Sequence, residues 1–306
     1  MLLFVYRIGV DSRGMEGLLL IALAGFAASM IDGALGMGFG PISATILLSA
    51  GLPPAAASAT INIAKIASGA GAAISHWRFR NIDHRIIKKL AIPGMAGAAI
   101  GATVLASVDG AQLRPILAAL LVLVGARMLW RFSRGFAPPA VPGDAPGSRI
   151  DERGIRAAGF TGGVTNGLVG AWGPVVTPVL LHKGLEPRYA VGSVNTAEVA
   201  VAVVAAGSLL ASGGTGQLDL GVVLAMLVGG LIAAPISAWV IRFIPSRALG
   251  VAVAGLLLWT NVRDLLRWGG VSSAATWAIY GAVAAIVVAA AVRPRLQLAR
   301  SARPVA

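Results

Sequence analysis

The chain has 306 residues, 57% of them hydrophobic and only 12% charged, with a mean hydropathy of +0.82 and a formal net charge of +13. A soluble domain carries about a quarter charged residues, so this composition excludes an ordinary soluble protein and points to one embedded in a bilayer. Cysteine is absent, which removes disulfides, thiolate metal sites and a cysteine nucleophile, and the basic residues fall between apolar stretches, as positive-inside loops do, rather than on one soluble face that would bind nucleic acid.

Residues 1–16 form a short N-terminal segment with Arg7 and Arg13. A basic stretch before an apolar run can be a signal peptide, but here the run belongs to a motif repeated later, so we read it as part of the mature fold. Residues 17–50 are apolar with Asp32 as the only charge. Glycine and proline disfavour a helix interior, so we expect two short helices meeting near residues 33–41, or a re-entrant hairpin open to the outside. The turn Gly51-Leu52-Pro53-Pro54 leads into a span over 55–77, with Pro54 suited to its first position and Lys65 inside it. The basic run HWRFRNIDHRIIKK at 76–89 belongs in the cytoplasm by the positive-inside rule. Spans follow at 90–108 and 113–130, completing a first repeat over 17–130.

A Pro/Gly-rich cytoplasmic linker covers 131–156. A second broken segment, 157–182, then a span over 185–211 with Glu198 inside, and spans at 220–241, 248–266 and 271–292 make up a second repeat plus a final helix over 157–292. The tail 293–306 is basic, which places the C-terminus in the cytoplasm. None of these windows alternates polar and apolar residues, so the class is all-α rather than a barrel. Seven firm spans plus two broken segments give about 7–9 membrane segments. The span over 55–77 must run inward and its copy over 185–211 outward, so the halves are inverted. That logic puts Met1 outside, against the weak indication of Arg7 and Arg13. The setting is a multi-pass cell-membrane protein, by association a bacterial inner-membrane one.

The duplication places Asp32 on Asn166, Gly36 on Gly170, Gly40 on Gly173, Thr60 on Ser193, Asn62 on Asn195 and Lys65 on Glu198. Paired glycine- and proline-broken segments in both halves point to a transporter's binding site. Asp32 either lines the pathway or carries a proton, or it caps the half-helix that follows. Lys65 meets an anionic substrate and Glu198 exchanges a proton, or the two form a buried pair that locks the halves. Thr60, Asn62, Ser193 and Asn195 bind an oxyanion through neutral donors, or join helices by hydrogen bonds. Gly36, Gly38, Gly40, Gly170 and Gly173 expose backbone amides that attract anions at helix starts, or simply permit close packing.

Two blocks, GALGMGFGPISATILLSAGLPPAAASATINIAK and WGPVVTPVLLHKGLEPRYAVGSVNTAE, resemble the TauE/SafE sulfite-exporter family of membrane permeases. The resemblance covers both halves. It implies movement of sulfite, a sulfonate or another organosulfur anion, and it lends no established binding residues. The expected function is therefore a secondary transporter of a small anion, worked by alternating access between the repeats. No nucleotide motif is present, so the energy would come from an ion gradient, protons first. A passive anion channel or a structural subunit is the alternative. An intramembrane enzyme is disfavoured, because His76, His84 and His182 lie near loops without metal-ligand spacing and no nucleophile is paired with a base. We expect no cofactor, no metal and no nucleic acid, with a small anion and the lipid bilayer as partners; a homo-oligomer is left open.

Overall fold

A computed structural model describes residues 14–134, 152–213, 218–240 and 246–301. Among these, eleven helices follow one another without a strand: α1 (Met15–Leu35), α2 (Phe39–Ser49), α3 (Pro54–Arg78), α4 (His84–Ser107), α5 (Gly110–Ser133), α6 (Ile155–Val169), α7 (Gly173–His182), α8 (Pro187–Ala211), α9 (Leu220–Val240), α10 (Ser246–Trp268) and α11 (Ser273–Ser301). Six are long and apolar enough to cross a membrane, with three shorter apolar helices beside them. The outer surface is studded with large apolar side chains such as Leu23, Ile100, Ile116, Leu123, Val203, Leu224 and Ile286. A soluble monomer does not present such a belt, so the chain is an all-α multi-pass membrane protein.

The local chemistry explains where the helices stop. Pro54 and Pro187 sit in the first turns of α3 and α8, where a missing N–H costs nothing. Gly36 and Gly170 end α1 and α6 at φ of 63° and 69°, left-handed values that glycine adopts without Cβ strain. Asp83 caps α4 by accepting from the amides of Arg85 at 2.9 Å and Ile86 at 3.4 Å. Burial alone would raise the Asp83 carboxyl, but the Arg85 side chain and these two amides outweigh it and hold it below its ordinary range.

Three boundaries differ from expectation. The first break does not divide two short helices: α1 has 21 residues, enough for about 30 Å, because nothing interrupts its ladder before Gly36. The helix α4 starts at His84, six residues before the apolar window, because the Asp83 cap lets its first basic turns be helical. The last helix does not end at residue 292 but runs on to Ser301. Arg7, Arg13, most of the 131–156 linker, part of the glycine-rich turn before α9 and the last five residues lie outside the described residues.

Packing follows glycine. The helix α1 lies along α9 and α4 along α6; α5 packs on α10, and α3 on α8. A Cβ at Gly25 would strike the Met226 carbonyl, and one at Gly229 the Ala22 carbonyl. On the other side, Gly97, Gly101, Gly159, Gly163 and Gly167 bring the backbones of α4 and α6 together in the same way. Without side chains between them, helices gain van der Waals contact at short range, which is how membrane helices associate. Beyond α10, α11 touches little: only 6% of the window Ser273–Val292 is buried.

Candidate functional site

Most of the residues singled out from the sequence converge where the two breaks meet. Gly40 of α2 and Gly170 of the second break touch backbone to backbone, with Gly170 C 2.5 Å from where a Gly40 Cβ would be. Gly173 closes on Met37 in the same manner, a Cβ there lying 3.1 Å from that of Met37. On either side of this crossing stand α3 and α8. Lys65 and Glu198 are each the twelfth of 25 residues in their helices, hence at mid-span, and they form an ion pair.

The Lys65 ammonium is fully engaged. Besides Glu198 it donates to the Gly170 carbonyl at 2.7 Å and to Asn166 Oδ1 at 3.3 Å, which accounts for its three protons. Next to it Asn166 donates to Asn62 Oδ1 at 2.7 Å, Asn62 donates to the Ser58 carbonyl at 2.9 Å, and the Ser58 hydroxyl donates to the Gly167 carbonyl at 2.7 Å. Asn62 and Asn166 are wholly buried. This is a sealed polar seam joining α3 to the second break.

On the opposite side of the Lys65–Glu198 pair the packing opens into a pocket of about 340 Å³. Its walls are Ser29 and Asp32 of α1, Gly36, Phe39 of α2, a stripe of α3 through Lys65, Ser68, Ala72 and His76, a stripe of α8 through Val191, Asn195 and Glu198, and Gly230 of α9. The stripes run toward the C-terminal end of α3 and the N-terminal end of α8, the end that carries the basic 76–89 segment. Asp32 reaches across the first break and accepts from the Phe39 amide at 3.1 Å. The capping reading of Asp32 is therefore realised, and its carboxylate already occupies the helix start that would attract an anion.

The alignment of the two halves read from the sequence sets residues of the pocket on residues of the seam. Asp32 and Asn195, equivalent to Asn166 and Asn62, both line the open pocket, while Asn166 and Asn62 are pressed together on the closed side.

The predicted residues divide accordingly. Asp32, Gly36, Lys65, Asn195 and Glu198 line the pocket; Asn62, Asn166 and Gly170 hold the seam behind it. Gly40 and Gly173 make the crossing of the breaks. Gly38 precedes α2 at φ 153° and is not in the lining of this pocket. Thr60 is buried away from the pocket, and Ser193 accepts from the Asp83 amide at 2.9 Å, fastening the loop before α4. Sequence reasoning missed Ser29, Ser68 and His76 in the lining, and also Trp172, which is fully buried and donates to the Val194 carbonyl at 3.1 Å. The i, i+3, i+7, i+11 spacing of Lys65, Ser68, Ala72 and His76 would have found that stripe. No group of three or more His, Asp or Glu suited to a metal occurs among the described residues.

Residues 21–264, most of the chain, match the family model described as "Sulfite exporter TauE/SafE". The chain belongs to this family. Over 277 residues it is 36% identical to the "Probable membrane transporter protein YtnM" of Bacillus subtilis (strain 168), covering 90% of this chain and 92% of the relative. A "Probable membrane transporter protein" of Haemophilus influenzae (strain ATCC 51907 / DSM 11121 / KW20 / Rd) is 31% identical over 117 residues, 38% of this chain and 46% of the relative. No solved structure matches the chain significantly. The protein is a membrane transporter by family, and the relatives' names point away from an enzyme.

Proposed function

We propose that the protein is a secondary transporter of a small sulfur oxyanion, such as sulfite or a sulfonate, coupled to protons and worked by alternating access between two inverted repeats. The observation that carries the reading is the open pair Asp32 and Asn195 beside its closed equivalent, Asn166 and Asn62. Rocking that opened the seam and closed the pocket would expose the Lys65–Glu198 pair to the other side, the motion by which inverted repeats alternate access. The basic segment at the pocket end and the basic C-terminal tail support a cytoplasmic side for that end by the positive-inside rule, and on this reading the arrangement is inward-facing, in a cell membrane.

Lys65 is the group that meets an anion. With Asp32 and Glu198 ionised, the two carboxylates outnumber the single ammonium and repel a negative solute. Protonating Glu198 frees the ammonium, and protonating Asp32 makes the pocket net positive, so anion and protons bind together. Asn195, Ser68 and His76 supply further polar contacts. A volume of about 340 Å³ lies at the small end of ligand pockets. The family name supports sulfite as the first substrate to test.

The test is thermal stability of the purified protein with sulfite, sulfate, thiosulfate, taurine, sulfoacetate and simple carboxylates, each at two pH values. A ligand at about 100 times its Kd stabilises by about 2.7 kcal/mol. A selective rise with one sulfur oxyanion, larger at the lower pH and lost in Lys65→Ala, is the expected result. A rise only with a cation or a neutral metabolite would overturn the anion reading.

A further inference from the structure

A second concavity lies away from the transport pocket, at the start of α4. It has a volume of about 670 Å³ and is lined by Arg85, Lys88, Lys89, Ile92, Pro93 and Ala96 of α4 and by Arg156 of α6. Five of the α4 positions, 85, 88, 89, 92 and 96, follow one helical face. The face changes character along its length. Its first turns are cationic, and within about 16 Å of helix it becomes apolar, ending on Ile92, 65% exposed, and Ala96.

The charges are only partly matched. Arg85 pairs with Asp83 and Lys89 with Glu152. The side chains of Lys88 and Arg156 have neither an ion pair nor a hydrogen bond among the described residues. Among the described residues, the four cations of the groove meet two carboxylates, Asp83 and Glu152, which leaves two positive charges in excess above an apolar floor.

We propose that this groove binds the phosphate headgroup of an anionic phospholipid in the leaflet on the basic, cytoplasmic side, with the acyl chain lying along Ile92, Pro93 and Ala96. Lys88 and Arg156 clamp the phosphate from two helices. Basic pockets between membrane helices on this side take anionic headgroups, and the descent from cation to apolar surface along one helix face fits a lipid where a free phosphate would use only the top of the groove. The site is independent of the transport pocket and of the substrate assigned to it.

The test uses the full chain in neutral detergent, titrated separately with phosphatidylglycerol, phosphatidylcholine of the same chains, and inorganic phosphate, while thermal unfolding is followed. Phosphatidylglycerol should raise the unfolding temperature saturably, with phosphatidylcholine and inorganic phosphate having little effect. In Lys88→Gln/Arg156→Gln the half-saturating fraction of phosphatidylglycerol should rise about tenfold or more, with unchanged stability in detergent alone. If the double variant does not fold, Lys88→Gln alone serves, with a smaller rise. Equal shifts with both lipids, a full effect of inorganic phosphate, no shift with phosphatidylglycerol, or an unchanged response in the variants would each overturn the proposal.

Discussion

Replacing Lys65 by methionine keeps an unbranched stem of nearly the same length and removes the ammonium. Three acceptors lose their partner: Glu198, the Gly170 carbonyl and Asn166 Oδ1. Removing one member of a buried ion pair costs about 3–5 kcal/mol. Glu198 lines the pocket and its side chain is 19% exposed, so some hydration survives and we take the lower figure, about 3 kcal/mol. Glu198→Gln is milder, about 1 kcal/mol, because the amide oxygen still accepts from the ammonium. In Lys65→Met/Glu198→Gln no charge is stranded, so the double variant should be more stable than Lys65→Met by roughly 1–2 kcal/mol. Set against single costs of about 3 and about 1 kcal/mol, that is a coupling of about 2–3 kcal/mol, within the range that contacting residues give. At about 2–4 °C per kcal/mol, thermal unfolding in detergent, followed by tryptophan fluorescence, resolves the four corners of the cycle. If the two single effects simply add, the pair is not the energetic link between α3 and α8, and the argument that Glu198 occupies the anion's place on Lys65 fails with it.

Gly40→Ala should lose about 1–3 kcal/mol by overpacking against Gly170, whereas Gly71→Ala in α3, with no atom within 4 Å of the new Cβ, should be neutral or slightly stabilising; equal melting temperatures would refute the backbone contact. Asp32→Asn retains an acceptor for the Phe39 amide, so it should melt like the native protein while the pH dependence of transport in vesicles changes; an unaltered pH profile would remove Asp32 from the proton path. The folded Asp83 carboxyl lies below its ordinary value of 3.8, so its cap stabilises fully above that pH and the stabilisation is lost as pH falls through the folded value. Asp83→Ala should therefore melt lower by about 1 kcal/mol near neutrality, and the gap should close in acid; a constant gap would contradict this. The chain has no cysteine, so Asn62→Cys and Asn195→Cys can be labelled singly: the second should react from the cytoplasmic side at once and the first only under transport conditions, and equal reactivity would refute alternation.

The two breaks were legible because their causes are local. Gly36 and Gly170 take left-handed φ, and Pro54 and Pro187 start helices, whatever surrounds them. The equivalence of Lys65 and Glu198 was visible as an alignment of letters, but their pairing was not, since it depends on α3 and α8 lying side by side. The sequence offered both a substrate role and a lock for that pair, and the structure places it as a closed ion pair on the wall of a pocket. Ser193 looked equivalent to Thr60 and ready for substrate, yet it serves the Asp83 loop, a tertiary contact that no local pattern encodes. Trp172 escaped notice because its indole is anchored by a carbonyl 22 residues onward and enclosed by Gly94 and Gly162 from two other helices.

The bare meeting of Gly40 and Gly170 has a mechanical meaning. Where two bodies rock, the points nearest the axis travel least, and a side chain placed there would act as a wedge. Two backbones in direct contact have no rotamers to change and no gap to fill, so in the proposed rocking they would serve as a fulcrum. In the proposed rocking, such a joint would let the far ends of α3 and α8 swing most, while the Lys65–Glu198 pair at mid-helix beside it moves least.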